Sequence, residues 1–174
     1  KRDFPQAPEV LRQYVRSGGT LFLPLARCDT LIDPYLKPRP SPALKALAGC
    51  LACEAATQNQ LEEIHVTHPA FSGNFPEAWE LNMDEPATFT RAQPKPQAEI
   101  LATAGGWPLL YRHRIGKGMV YVYTWNLDVF IYQGSTLDHY SDQWDWMWVG
   151  IAGELGLERR LDNPLRQTIL EMMA

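Results

Sequence analysis

Val10, Leu11, Tyr14 and Val15 recur at helical spacing, Gly18-Gly19 interrupts them, and Leu21, Phe22 and Leu23 follow as an unbroken apolar run. The pattern predicts a helix, a left-handed cap and a strand buried on both sides, the form strands take in parallel sheets. Three prolines within seven residues from Pro34 predict a loop crossing the sheet. "SPALKALAG" predicts a short helix with Ser41 as N-cap, Pro42 at its first position and Gly49 as its stop. From Cys50 to Gln97 the periodicity weakens: "LEEIHVTH" alternates like a strand, "FSGNFPEAW" reads as a loop, and "ATFTRA" as another strand before "QPKPQ". It sharpens again at "AEILATA", "WPLLYRHRI" and "MVYVYTWN", three strands joined by tight turns at Gly105-Gly106 and Gly116-Lys117-Gly118, an antiparallel meander. "SDQWDWMWVGIAGELGL" predicts a helix capped by Ser141 with Trp144, Trp148, Ile151 and Leu155 as its apolar stripe, and "NPLRQTILEMM" a second one capped by Asn163. Together these elements predict an α/β fold, a three-layer sandwich whose flavodoxin-like mixed sheet is parallel at first and ends in an antiparallel meander.

The 174 residues, 45% hydrophobic and 21% charged, have the composition of one globular domain spanning 1–174. Net charge is −4 and unevenly spread: Lys1 to Lys45 carries 8 basic and 4 acidic residues, whereas Ala46 to Ile100 carries 2 and 8. With no basic stripe, no nucleic-acid partner is expected. No apolar run approaches the ~18 residues that span a bilayer, so no membrane partner is expected either. Cys28, Cys50 and Cys53 are odd in number, and the Cys50–Cys53 C-x-x-C has no second pair to complete a zinc site. Its setting, "LAGCLACEAAT", predicts buried thiols in a reduced, cytoplasmic compartment, with neither metal nor cofactor. The first residue is not Met and the first ten lead straight into a helix, so a piece of a longer polypeptide lacking its N-terminal strands is expected.

Three segments in order carry a resemblance: Tyr-Val-x-x-Gly-Gly-Thr at Tyr14 to Thr20, Leu47 to Glu54 after a short helix, and the Ala98 to Thr124 meander with its Gly-Lys-Gly turn. The chain resembles, over most of its length, the amidotransferase-like domain of family 42 β-galactosidases, often called their trimerisation domain. The wider superfamily includes class I glutamine amidotransferases, with a nucleophilic Cys in a Gly-flanked elbow after one strand and a His-Pro-Glu at the tip of a late strand. Here the strand Thr20 to Leu25 runs into "PLARCDT", which has Cys28 beyond the strand and no flanking glycine. "TWNLD" stands where the His-Pro-Glu would be, with Asn126 at the position of the base and Asp128 at that of its orienting carboxylate. Asn cannot take a proton from a thiol at neutral pH.

Asn126 and Asp128, with Arg27 and Asp29 from the earlier strand tip, are therefore candidates for binding a ligand or another part of the protein, or else strand-end caps. The strand resemblance implies that these tips converge. Trp146 lies about 200° around the helix from Trp144, which places it under a loop or against another domain or subunit, with sugar stacking a further option. Gly116-Lys117-Gly118 is a hairpin turn, lacking the context of a phosphate loop. His65 and His68, three apart on a strand, would face opposite ways and so form no metal pair. His113, between Arg112 and Arg114, fits a solvated face or a cross-strand pair.

The resemblance implies a non-catalytic accessory or oligomerisation domain of a glycoside hydrolase. Its partners would be the catalytic barrel of the parent chain and further copies, with carbohydrate as an optional ligand. The alternative is a self-standing amidotransferase-like hydrolase using Cys28 as nucleophile with His113 or His139 as base.

Overall fold

The computed structural model describes residues 7–25, 30–32, 38–61, 64–73, 81–125 and 145–157. In chain order the elements are α1 (Ala7–Arg16), β1 (Thr20–Pro24), β2 (Thr30–Ile32), β3 (Pro38–Pro40), α2 (Pro42–Leu47), β4 (Cys50–Leu61), β5 (His65–Val66), α3 (Pro69–Ser72), β6 (Leu81–Pro94), β7 (Glu99–Ala104), β8 (Trp107–Ile115), β9 (Gly118–Tyr123) and α4 (Asp145–Glu154). The fold is mixed α/β. Its five-stranded sheet has the order β1-β9-β8-β7-β5. Strand β1 runs parallel to β9, with Thr20 opposite Met119 and Pro24 opposite Tyr123. The β9-β8, β8-β7 and β7-β5 pairs are antiparallel. The meander and its two glycine turns thus stand where the sequence placed them, and Gly105, Gly106 and Gly116 all take positive φ.

Strand β9 shows how the sheet is covered. Val120 and Val122 point to one core, with Val15 of α1 and Leu44 and Leu47 of α2. Tyr121 and Tyr123 point to the other, with Phe71 of α3 and Trp146, Met147 and Ile151 of α4. Successive residues of a strand face opposite sides, so the near-continuous burial of β9 follows from helices on both faces. In α2, Ser41 Oγ accepts the Leu44 N–H at 3.2 Å and Pro42 opens the first turn, as the sequence predicts.

Helix phases differ from the expected stripes. In α1 the inward side is Pro8, Leu11 and Val15, leaving Val10 63% and Tyr14 52% exposed. The Tyr14 ring covers Gly19, where a Cβ would meet it at 2.3 Å, so its spacing reflects contact with the turn rather than the core. In α4 the buried side is Trp146, Met147, Gly150 and Ile151, while Trp148 and Leu155 are each 44% exposed. The close approach of Gly150 to Phe71, 2.3 Å from an added Cβ to the ring, sets this rotation. The weakly periodic middle folds into an antiparallel ribbon, β4 with β6, bulged between Cys50 and Ala52 and between Gln58 and Gln60. The strand expected in "LEEIHVTH" is only His65–Val66, because Pro69 opens α3 immediately after it and His68 becomes that helix's cap. Helix "NPLRQTILEMM" lies outside the described residues.

Candidate functional site

The tips of β1 and β9 are neighbours. The Leu25 N–H donates to Tyr123 O at 2.7 Å, one residue beyond the last register pair of the parallel ladder. Strand β6 passes over this edge: the Thr90 N–H donates to Thr124 O at 2.8 Å, and Thr90 Oγ1 donates to Leu25 O. One fully buried threonine thereby ties both tips. Phe89 and Trp125 form an antiparallel bridge with their rings stacked at 5.8 Å. Thr124 closes the other side, its N–H donating to Leu109 O at 3.0 Å and its hydroxyl to Pro108 O at 2.8 Å. On the outer surface the Arg91 guanidinium lies 5.6 Å from the Trp107 ring centre and 5.9 Å from that of Phe89.

The strand convergence thus holds through Leu25 and Trp125. Arg27, Asp29, Asn126 and Asp128, and with them Cys28 and His139, lie outside the described residues. Trp146 is in the core, 1% exposed, with its ring edge-on to Phe71 at 6.4 Å. Burial of the C-x-x-C is graded: Cys50 is buried, its Sγ 2.8 Å from the Tyr111 hydroxyl, and Cys53 is half-buried. The same Tyr111 hydroxyl donates to Ala48 O at 2.9 Å. Burial, and next the neighbouring Cys50, push the Tyr111 phenol far above its ordinary range. His113 is half-buried and stands opposite Val120 across β8–β9. Its Nε2 lies 2.8 Å from Leu47 O, and its ring fills the space beside Gly49, where a Cβ would meet it at 2.8 Å. Burial lowers its pKa, and the neutral ring donates Nε2–H to that carbonyl.

Sequence reasoning missed a polar network on the α3–α4 face. Arg112 Nε donates to Glu99 Oε2 at 2.8 Å and its Nη1 pairs with Glu154 Oε2. The Tyr121 hydroxyl donates to the same Glu154 oxygen at 2.5 Å. His68 Nδ1 accepts the Ala70 N–H at 3.3 Å, and its Nε2 lies 3.4 Å from Arg112 Nη2 and 3.6 Å from both Glu99 and Glu154. One guanidinium thus clasps α4 to the meander, with the cap of α3 alongside. Two signals were available: Glu99 stands opposite Arg112 across β7–β8, and Arg112 opposite Tyr121 across β8–β9. The pairing with Glu154 depends on the phase of α4, which periodicity misplaced.

No protein-family model matches the chain, and no curated protein matches it in sequence. Solved structures share its fold. Over 90% of its length the chain matches 22% of the β-galactosidase from Rahnella sp. R3, with a TM-score of 0.57 and 16% identity. Over 90% it also matches 20% of a catalytic mutant of Gan42B, a GH42 β-galactosidase from G. stearothermophilus, with a TM-score of 0.55 and 14% identity. Cytoplasmic Protein STM1381 from Salmonella typhimurium LT2 matches over 85% of this chain and 60% of its own, with a TM-score of 0.52 and 17% identity. The chain thus spans about a fifth of the β-galactosidases it resembles, and its fold is one that recurs as a part of such enzymes.

Proposed function

We propose that the chain is an amidotransferase-like accessory and oligomerisation domain of a glycoside hydrolase of the β-galactosidase kind, and that it is itself non-catalytic. The observation that carries this reading is the fold match covering 90% of the chain against 20–22% of two β-galactosidases. It supports one part of a large enzyme, whose catalytic carboxylates lie elsewhere in the parent. In this reading the fold is a three-layer, flavodoxin-like sandwich, supported by the parallel β1–β9 pair and the helices against both faces of the sheet. Thr90 supports a non-catalytic role: it occupies, with hydrogen bonds to both tips, the edge at which the superfamily's nucleophile and base would meet. Arg27, Asp29, Asn126 and Asp128 are proposed to meet the parent barrel or a polyol there.

Light scattering of the intact parent tests the assembly role, with an oligomer expected and a strict monomer removing it. Iodoacetamide titration across pH tests the hydrolase alternative. A Cys28 thiolate well below the usual ~8.5 would favour that alternative over the accessory domain.

A further inference from the structure

Cys50 and Cys53 stand at one end of the β4–β6 ribbon, and a bulge decides which way their side chains point. On a regular strand, residues three apart face opposite sides. Here Cys50 lies opposite Pro94 and Cys53 opposite Ala92, so three steps of β4 match two of β6, with the register broken between Cys50 and Ala52. Cross-strand partners share a face, and so do residues two apart. Pro94 and Ala92 therefore bring both cysteines to one face, the side on which Cys50 and Ala92 enter the core with Tyr111. Burial follows the bulge: Cys50 is buried, Leu51 and Ala52 are exposed, and Cys53 is half-buried. Burial first, then Cys50 and also Cys53, raise the Tyr111 phenol, in keeping with both thiols lying on its side of the ribbon. The bulge also shortens the step between them. Two residues of a strand advance about 6.7 Å, and that span, set by Pro94 and Ala92, is at the upper end of the Cα separations a disulfide bridges.

The two thiols are not equivalent. The Tyr111 hydroxyl donates its one proton to Ala48 O at 2.9 Å, so in the 2.8 Å contact the Cys50 S–H donates to the phenol oxygen. Cys50 is thereby kept protonated and covered, whereas Cys53 is reached from solvent. A role as apolar filler explains Cys50 by itself, but not the bulge that turns Cys53 to the same side. We infer that Cys50 and Cys53 form a reversible dithiol–disulfide pair, with Cys53 as the attacking thiol and Cys50 as the resolving one. Against a small-molecule disulfide such as glutathione disulfide, the Cys53 thiolate bonds to one sulfur and expels one thiolate, which leaves a mixed disulfide. The Cys50 thiol then loses its proton and bonds to Cys53 Sγ, expelling the second thiolate. The two protons given up by the cysteines pass to the two departing thiolates, so two thiols are oxidised and one disulfide is reduced, a transfer of two electrons. Closure requires Cys50 to leave the phenol and the bulge to tighten, and Leu51 and Ala52, which lie between the two cysteines, face solvent and leave room for that motion.

The test treats the whole chain carrying Cys28→Ser, so that Cys50 and Cys53 are its thiols, with glutathione disulfide, and follows intact mass together with thiol counting in denaturant. A transient glutathione adduct is expected, followed by an adduct-free chain that has lost two hydrogens, and dithiothreitol should restore both thiols. A second chain separates the fold from mere closeness in sequence: Cys53→Ala with Ala52→Cys moves one thiol to the exposed face. That chain should retain its adduct and close at least tenfold more slowly, and urea should erase the difference. An adduct that persists on Cys53, equal closure in the two folded chains, or thiols that react only after urea is added would each overturn the pair and leave ordinary core thiols. Two chains joined through Cys53 would overturn it as well and assign that thiol to a contact between copies.

Discussion

At Gly118 a methyl group has no room: an added Cβ would lie 2.1 Å from Val15 O and 2.2 Å from Gly19 O, both backbone atoms. Gly105 also resists substitution but for another reason, a φ of +54° with nothing within 4 Å. Gly118→Ala should therefore cost about 3 kcal/mol, against about 1 kcal/mol for Gly105→Ala, a ranking that urea denaturation would read directly. Equal costs would mean that α1 yields to the added methyl. The Gly-Lys-Gly motif was legible as a turn, but its tightness was not, because the crowding comes from α1, about 100 residues away in sequence. Thr90 makes the same point at the strand tips. It lies in "ATFTRA", a segment that reads only as a strand, yet its side chain reaches Leu25 O, 65 residues distant. Thr90→Val keeps the shape and removes that donor from a buried carbonyl, so a loss of about 1–3 kcal/mol is expected in the same assay. Stability unchanged from the parent sequence would show that Leu25 O finds another donor.

Among elements, the legible ones were those whose signal is local: the cap and proline of α2, the glycine turns of the meander, and the apolar run of β1, which forms a strand but at the sheet's edge with only Leu23 buried. The phases of α1 and α4 were misread because Tyr14 and Trp148 lie on rings or turns at the core's margin, where apolar character does not report depth. Trp148 packs at a tilt on Phe22, ring centres 4.5 Å apart, while remaining 44% exposed. The clasp between α4 and the sheet carries a pH dependence. Burial, and then the bond to Glu154, raise the Tyr121 phenol to about 12, and burial also raises Tyr111 and Tyr123. Above the ordinary value of 10.0 the unfolded chain loses protons that the folded chain keeps, so stability falls as pH rises from 10 through 12. Tyr121→Phe should flatten part of that decline, and a denaturation midpoint that is constant from pH 9 to 11.5 would contradict the arrangement. His113 acts at the other end of the scale. Its pKa is lowered from 6.5 by burial, so its contribution is present above 6.5 and is lost as pH falls below it, when the buried ring must take up charge. His113→Gln should reduce the acid-side slope.

For the whole molecule, the least legible region is the ribbon of β4 and β6. Strands β4 and β6 run 12 and 14 residues and form a two-stranded sheet of their own. Among the described side chains, Cys50, Ala92, Thr90 and Phe89 anchor one end, entering the cores or bonding to the strand tips. Past Phe89 the ladder continues from Thr57 opposite Thr88 to Leu61 opposite Leu81. Its composition there, "TQNQL" against "LNMDEPAT", lacks strict alternation, which is why the sequence showed no firm strand. A two-stranded ribbon is marginal in water without a face to pack on, and long unpaired edges invite pairing with another chain. If the chain is an oligomerisation domain, this distal ribbon is the element whose stability should depend on assembly, while the meander, packed on both faces, should not. Hydrogen exchange on the isolated chain is expected to show slow amides at Val120 to Tyr123 and fast ones at Thr57 to Leu61. In the intact parent the second group should slow by at least tenfold and the first should change little. Equal protection of the distal ribbon in the isolated chain and the parent would mean that the ribbon is no assembly contact, whatever the size of the oligomer. A parent found monomeric with the ribbon newly protected would instead assign it to the catalytic barrel of the same chain.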